Sequence, residues 1–238
     1  MRRFVLFIIV FAFVLGAFEA FAAEKPRLGV LRFSNHTHAS WWGHTSGTEL
    51  QDMLIAELAS TKAFSVLERQ ELNKVISEQK LSESGIVDEK TKIRPGRIKV
   101  AKYLVAATVS SFEENVAGSD KGISVFGFNV GGDSNKAYIA VDLKVLDTET
   151  AEVVDNRTVE ANSSGGGLRL SGSLLGVGGH WGEKAKTPAG KAIRACIIEI
   201  SEYLECSLTK PKSGCMAKYD EKETKRKDKT KKSISLDE

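Results

Sequence analysis

The spacing of apolar residues changes several times along the chain, and each change marks an element. Behind Arg2 and Arg3, positions 4–18 are almost unbroken in apolar character. Arg27–Phe33 alternates apolar and polar positions, the period of a half-buried strand. A polar, aromatic-bearing loop follows, from Ser34 to Thr45. Ser46-Gly47-Thr48-Glu49 has the form of a capping box, and Leu50, Met53, Leu54 and Leu58 then recur at helical spacing. Ala63–Leu67 reads as a short strand, and Glu68–Lys80 as a second helix with Leu72, Val75 and Ile76 facing inward. Gly85-Ile86-Val87-Asp88 ends that helix and Pro95-Gly96 makes a turn. Lys99–Lys102 is expected to be helical, and Tyr103–Val109 is apolar enough for a buried strand.

The second half continues with strands. Gly122–Val130, the tip Gly131–Asn135 and the returning run Lys136–Leu146 read as a hairpin; Ile139, Val141, Leu143 and Val145 share a face of the returning strand. Asp147–Thr150 is a turn into a strand over Val153–Asn162. Ser163–Gly182 holds eight glycines around Leu168, Leu170, Leu174 and Leu175. Thr187-Pro188 opens a long helix, with Thr at the cap and Pro at the first helical position. Ala189, Ala192, Ile193, Cys196, Ile197, Ile200, Tyr203 and Leu204 keep one face of it apolar. Alternating strands and helices predict an α/β layer fold, a mixed sheet flanked by helices.

Composition adds the boundaries. The chain has 238 residues, 42% of them hydrophobic and 27% charged, enough for one domain with a core. A disordered chain, a collagen-like repeat and a cysteine-stapled miniprotein are excluded. The basic start, short apolar run and small residues at Ala20, Ala22 and Ala23 form a secretory signal peptide, residues 1–22. No Cys lies near that cleavage site to carry a lipid, so export without a lipid anchor is expected. The domain then spans 23–208. The last residues, 209–238, carry eight basic and six acidic side chains from Lys218 onward and are expected to be a disordered, charged tail. A net charge of +3 gives no ground for nucleic-acid binding.

Candidate chemistry is sparse. His36, His38 and His44 share the first loop, but neither helical spacing nor an acidic partner accompanies them, so they read as solvated loop residues rather than zinc ligands. There is no nucleophile elbow and no phosphate-binding loop. Cys196 sits on the apolar face of the last helix as a small core residue. Cys206 and Cys215 flank the end of that helix, and export places them in an oxidising space where they are the candidate disulfide. No enzyme activity, metal or cofactor is expected.

At Val66-Leu67-Glu68-Arg69-Gln70-Glu71-Leu72, continuing through Glu78, Gln79 and Gly85, the sequence resembles the curli secretion channel family, the CsgG/HfaB type. The resemblance runs from about residue 26 to 208 and includes Arg27–Phe33, Leu104–Val116, Phe126–Leu143 and Ala189–Leu208. It implies a ring-like homo-oligomer at the outer membrane, in which each protomer donates two β-hairpins, here about 117–140 and 156–182, to one shared barrel. Phe126, Phe128, Val130, Leu168, Leu170 and Leu174 would be hairpin residues. Unfolded fibre or adhesin subunits would pass through, aided by periplasmic accessory proteins. Trp41 and Trp42, with His44, stand in the loop that narrows the channel in this family; packing on the body or at a subunit contact is the alternative for the two tryptophans. Without a lipid anchor, either the hairpins alone hold the chain in the membrane, or it is a soluble periplasmic scaffold similar to penicillin-binding-protein activators.

Overall fold

In the computed structural model, residues 24–114, 124–125, 128–129, 137–163, 187–210 and 214–234 are described. The expected signal peptide and most of the two expected hairpins lie outside these. Strand β1 is Arg27–Val30, β2 Ser34–Asn35 and β3 Ser65–Leu67; helix α1 is Ser46–Thr61 and α2 Leu72–Glu83. Three longer strands follow, β4 (Tyr103–Glu114), β7 (Ala137–Asp147) and β8 (Val153–Ser163), with the two-residue strands β5 (Ser124–Val125) and β6 (Phe128–Asn129) between β4 and β7. Helices α3 (Pro188–Thr209) and α4 (Cys215–Ser233) close the chain.

The main sheet has the order β3-β1-β4-β7-β8, with β2 also paired to β4. β1 is parallel to β3 and β4, whereas β7 is antiparallel to β4 and β8. The sheet is therefore mixed, as the alternation of elements predicts. α1 and α3 pack on one face. Leu50, Leu54 and Leu58 from α1, with Ile193, Ile197, Ile200 and Leu204 from α3, meet Val105, Val109, Val141, Leu143 and Val145 from the sheet, all buried. Removal of this apolar surface from water, at about 25 cal/mol per Å², is the main stabilising term.

Several local expectations change. α1 begins at Ser46, but its cap is Thr45, whose hydroxyl donates to Glu49 Oε1 at 2.9 Å; the Ser46 hydroxyl turns back and accepts from Gly43 N at 2.8 Å. α2 starts at Leu72 rather than Glu68 and does not join the core: Val75 is exposed, Leu72 and Ile76 are half-buried, and only Ser82 is buried. Lys99–Lys102 is not helical, because its backbone is taken by neighbouring strands and side chains. Arg27 Nε donates to Val100 O, and Lys102 N donates to Arg27 O, both at 2.9 Å. Beyond β4, β5 and β6 pair antiparallel, Ser124 with Asn129 and Val125 with Phe128, within the stretch read as one strand; the expected tip 131–135 lies outside the described residues.

The expected disordered tail is helix α4. Its charge density conceals an apolar anchor, Tyr219, which is 5% exposed, and Met216 packs beside the core as well. The Tyr219 ring meets Tyr203 of α3 edge-on at 5.2 Å, and the Arg157 guanidinium of β8 lies 4.7 Å from Tyr203 and 5.9 Å from Tyr219. Arg157 also pairs with Asp220 at 2.9 Å. Cys206 and Cys215 are joined by a disulfide, with Cα atoms 6.0 Å apart, which ties the start of α4 to the end of α3.

Candidate functional site

Register places three chain ends side by side. Glu114, the last residue of β4, pairs with Ala137, the first of β7, and Ala137 pairs with Ser163, the last of β8. The Ser163 hydroxyl locks this corner by accepting from Ala137 N at 2.9 Å while itself buried. The two segments that leave the sheet here, 115–136 and 164–186, therefore depart from one end of it on three adjacent strands. Hairpin candidates Phe126, Val130, Leu168, Leu170 and Leu174 belong to those segments and lie outside the described residues; Phe128 is in β6.

The loop between β2 and α1 sits at the same end. Trp41 packs edge-on against Phe112 of β4 at 5.4 Å and against Trp42 at 5.5 Å. Both tryptophans are half-buried against the core. Phe112 escapes an alternation count because a bulge between Val109 and Ser111 shifts the phase of β4. Val105, Ala107 and Val109 face the core at odd positions, and after the bulge Phe112, opposite Ile139, does so at an even one. The signal is an apolar residue out of phase with those before it.

Side-chain hydrogen bonds give this loop its shape. Asn35 Oδ1 accepts from Thr37 N at 2.9 Å and from Thr37 Oγ1 at 2.7 Å, an Asx turn. Arg32 Nη2 donates to the carbonyl oxygen of His44, whose own side chain is exposed. Phe33 N donates to Gly47 O at 3.1 Å, and a Cβ on Gly47 would stand 2.4 Å from Phe33 O. Only glycine permits this approach of α1 to the strand. His36 and His38 are exposed, and among the described residues no group of three or more His, Cys, Asp or Glu is arranged to hold a metal ion.

The residues around Leu67–Gly85 build a projecting arm. Leu67 ends β3. Glu68 Oε1 accepts from Gln70 N at 2.6 Å and turns the chain into α2. Arg69 Nη2 reaches Lys99 O at 3.2 Å and so ties the outgoing and returning chains together. Gln70 Nε2 donates to Asp52 Oδ1 of α1 at 3.0 Å. Burial, together with the nearby Glu68 carboxylate, raises the Asp52 carboxyl above its ordinary range despite that bond. Leu72 and Gln79 are half-buried and Glu78 is exposed. Gly85, at φ 79°, takes the left-handed conformation that ends α2. Ser82 and Ile93 then fasten the arm back on itself: Ile93 N donates to Ser82 Oγ at 2.9 Å.

A cleft of about 250 Å³ lies between β8 and α4, lined by Arg157, Glu160, Glu199, Tyr219, Lys222 and Arg226 among others. Its charges are matched locally: Arg157 with Asp220, Lys222 with Glu199, and Arg226 with Glu223. Tyr203 donates to both oxygens of Asp155, at 2.6 and 2.7 Å, and Ser207 adds a third hydrogen bond to the same carboxylate. Burial, reinforced by Asp155, pushes the Tyr203 phenol well above its ordinary range, and burial does the same for the Cys196 thiol. Both groups stay neutral at physiological pH and belong to the packing.

The described residues form an α/β domain with two insertions rooted at one sheet end and an arm at the other. The family described as "Curli production assembly/transport component CsgG" matches residues 12–234, and the chain belongs to that family. The CsgG proteins of Escherichia coli strain K12 and of Salmonella typhimurium strain LT2 are each 28% identical to it over 108 residues, 44% of this chain and 39% of theirs. The match thus spans about two fifths of the length of these relatives. Among solved structures, a hypothetical protein from Chlamydia trachomatis superposes with a TM-score of 0.44 and 16% identity, covering 76% of this chain and 96% of that one.

Proposed function

We propose that this chain is a protomer of a ring-shaped outer-membrane channel that exports unfolded subunits of extracellular fibres or adhesins. The carrying observation is the common root of the two insertions at Glu114, Ala137 and Ser163. A barrel shared between protomers needs each copy to supply antiparallel strands from one place and in one direction. Segments 115–136 and 164–186 are each long enough for two tilted strands of about 9–11 residues. A barrel closed around a ring leaves no strand edge unpaired in lipid. The absence of a long apolar helix among the described residues bears only on helical spans.

In this reading Trp41, Trp42 and His44 line the approach to the pore. Symmetry-related tryptophans would present flat apolar surface to an extended chain without reading its sequence. Trp41 is anchored on Phe112, so Trp42 and the exposed His44 are the side chains left to face a passing chain. Transport of an unfolded chain down its own gradient needs no cofactor. The protein is exported, envelope-associated and held in the membrane by its hairpins, with periplasmic accessory proteins as further partners.

The test is membrane fractionation of the full-length protein, with electron microscopy of the detergent extract, beside a variant deleted for residues 117–136. Rings in the outer-membrane fraction, lost from it in the deletion variant, support the proposal. A soluble monomer or dimer in the periplasm refutes the channel and leaves a periplasmic scaffold.

A further inference from the structure

The end of the sheet opposite the insertion roots carries two surfaces of opposite character, one on the arm that leaves the β3 edge and one at the β8 edge. One belongs to the arm, residues 72–102, which leaves from β3 and returns to β4. Between Lys90 and Lys102 the chain has six basic residues and no acidic one. Every residue from 88 to 100 is exposed. Among them are large apolar side chains: Val100 is 71% exposed and Ile93 and Ile98 are also open, while Ile86, just before, is 80% exposed. Lys92 pairs with Glu89 within the arm, but Arg94 and Arg97 have no acidic partner among the described residues. A monomer has no use for so much apolar surface on a projecting element, and such surface marks a contact with another molecule.

The other surface is the start of β8, the edge strand on the far flank. From Leu146 to Asn156 there are four acidic residues, Asp147, Glu149, Glu152 and Asp155, and no basic one. Val153 and Val154, 50% and 46% exposed, lie beside them. α4 meets β8 further along, where Arg157 pairs with Asp220, so this part of the edge is open. Both surfaces stand at one level of the sheet: Tyr103 pairs with Asp147, and Thr148 N donates to Lys102 O at 2.9 Å.

We infer that the arm of one protomer docks on the β7–β8 turn and the open start of β8 of the next, with Arg94 and Arg97 against Glu149 and Glu152, and Ile93, Ile98 and Val100 against Val153 and Val154. This inference rests on the assembly reading above and names the contact that builds it. Two different surfaces make a head-to-tail interface, the kind that generates a ring when its rotation closes. Opposite charges fix the register, and like charges at a self-contact would oppose it.

The experiment uses the full-length chain in detergent extract, with mass photometry and non-reducing gels as readouts. Arg97→Cys combined with Val154→Cys is expected to give a ladder of covalent oligomers on mild oxidation, and neither single variant gives one. The native cysteines do not compete, since Cys206 and Cys215 are already bonded and Cys196 is buried. Arg94→Glu with Arg97→Glu, and separately Glu149→Lys with Glu152→Lys, are expected to weaken assembly at least about tenfold, and all four together to restore it. Circular dichroism of each variant separates lost assembly from lost folding; a variant that misfolds leaves the cysteine pair to decide. If the wild type forms rings while the cysteine pair stays monomeric and the charge reversals change nothing, the inference is overturned and the channel reading is untouched. A dimer from Arg97→Cys alone overturns the head-to-tail geometry. A wild type that stays monomeric in the extract overturns the assembly reading and this contact with it.

Discussion

Loss of the Cys206–Cys215 bond is the perturbation whose size follows most directly from the structure. The bond closes a loop with a sequence separation of nine residues. Restricting the unfolded chain by a loop of that length is worth about 2.6 kcal/mol at 25 °C on the chain-entropy account. With a urea dependence of about 2 kcal/mol per molar, the unfolding midpoint of Cys215→Ser should fall by about 1.3 M. Cys215 is the better partner to change, because it is half-buried whereas Cys206 is buried. The loss should also be local. Without the bond, α4 is held by Tyr219 against Tyr203 and Arg157 and by the ion pairs Arg157–Asp220 and Lys222–Glu199. The rest of the helix is mostly exposed, and exposed pairs contribute at most about 1 kcal/mol each. Amide hydrogen exchange should therefore speed up across residues 216–232 well before the sheet opens, in Cys215→Ser and in reduced wild type alike. An unchanged midpoint, together with unchanged protection of α4, would refute the view that the bond holds this helix down.

Other consequences can be measured on the same material. Gly47→Ala puts a methyl group 2.4 Å from Phe33 O and should destabilise the fold by on the order of 3 kcal/mol, read as a lower thermal midpoint, with the loop before α1 displaced. Trp41→Ala removes the contacts with Phe112 and Trp42; because the ring is only half-buried, the cost should be about 2–3 kcal/mol, below that of a fully buried aromatic, and denaturant titration measures it. Asp52 has a folded pKa raised above its unfolded value, so its carboxylate opposes folding at neutral pH, and that penalty fades as the pH falls through the folded value. Asp52→Asn, which keeps an acceptor for Gln70, should raise the thermal midpoint at pH 7 and lose the advantage near pH 4; an equal gain at both pH values would contradict the electrostatic origin.

The layer fold was legible because its core strands and helices keep their periods. Val105, Ala107 and Val109 alternate, and α3 presents an apolar residue at nearly every inward turn from Ala189 to Leu204. Thr187 caps that helix by accepting from Gly190 N, as a Thr-Pro start predicts. What period could not reveal was which apolar faces find a partner. α2 has helical spacing at Leu72, Val75 and Ile76, yet Val75 stays exposed among the described residues; spacing shows an amphipathic helix but not what its apolar face meets. The opposite error occurred at α4. Its composition is that of a solvated tail, yet Tyr219, Met216, the disulfide and ion pairs to Arg157 and Glu199 seat it. The disulfide is legible from its two cysteines, but Tyr219 meets Tyr203 and Arg157 across 16 and 62 positions of sequence, which no local pattern announces.

The two ends of the sheet divide the work between them. At one end the insertions leave from paired positions on β4, β7 and β8, so any strain they transmit passes into the longest strands. At the other end β1 and β3 are short, and the polypeptide spends its length on the exposed arm. A ring built through that arm would set the protomer spacing at one end while the insertions meet at the other. Arg69 is the hinge between the requirements, since its side chain reaches from the end of β3 to Lys99 on the returning chain. Arg69→Ala should leave the core intact, because the guanidinium's hydrogen bond goes to the exposed arm backbone, yet loosen the arm and weaken assembly. A variant that assembles as well as wild type while its arm exchanges faster would show that the arm needs no preset geometry to dock.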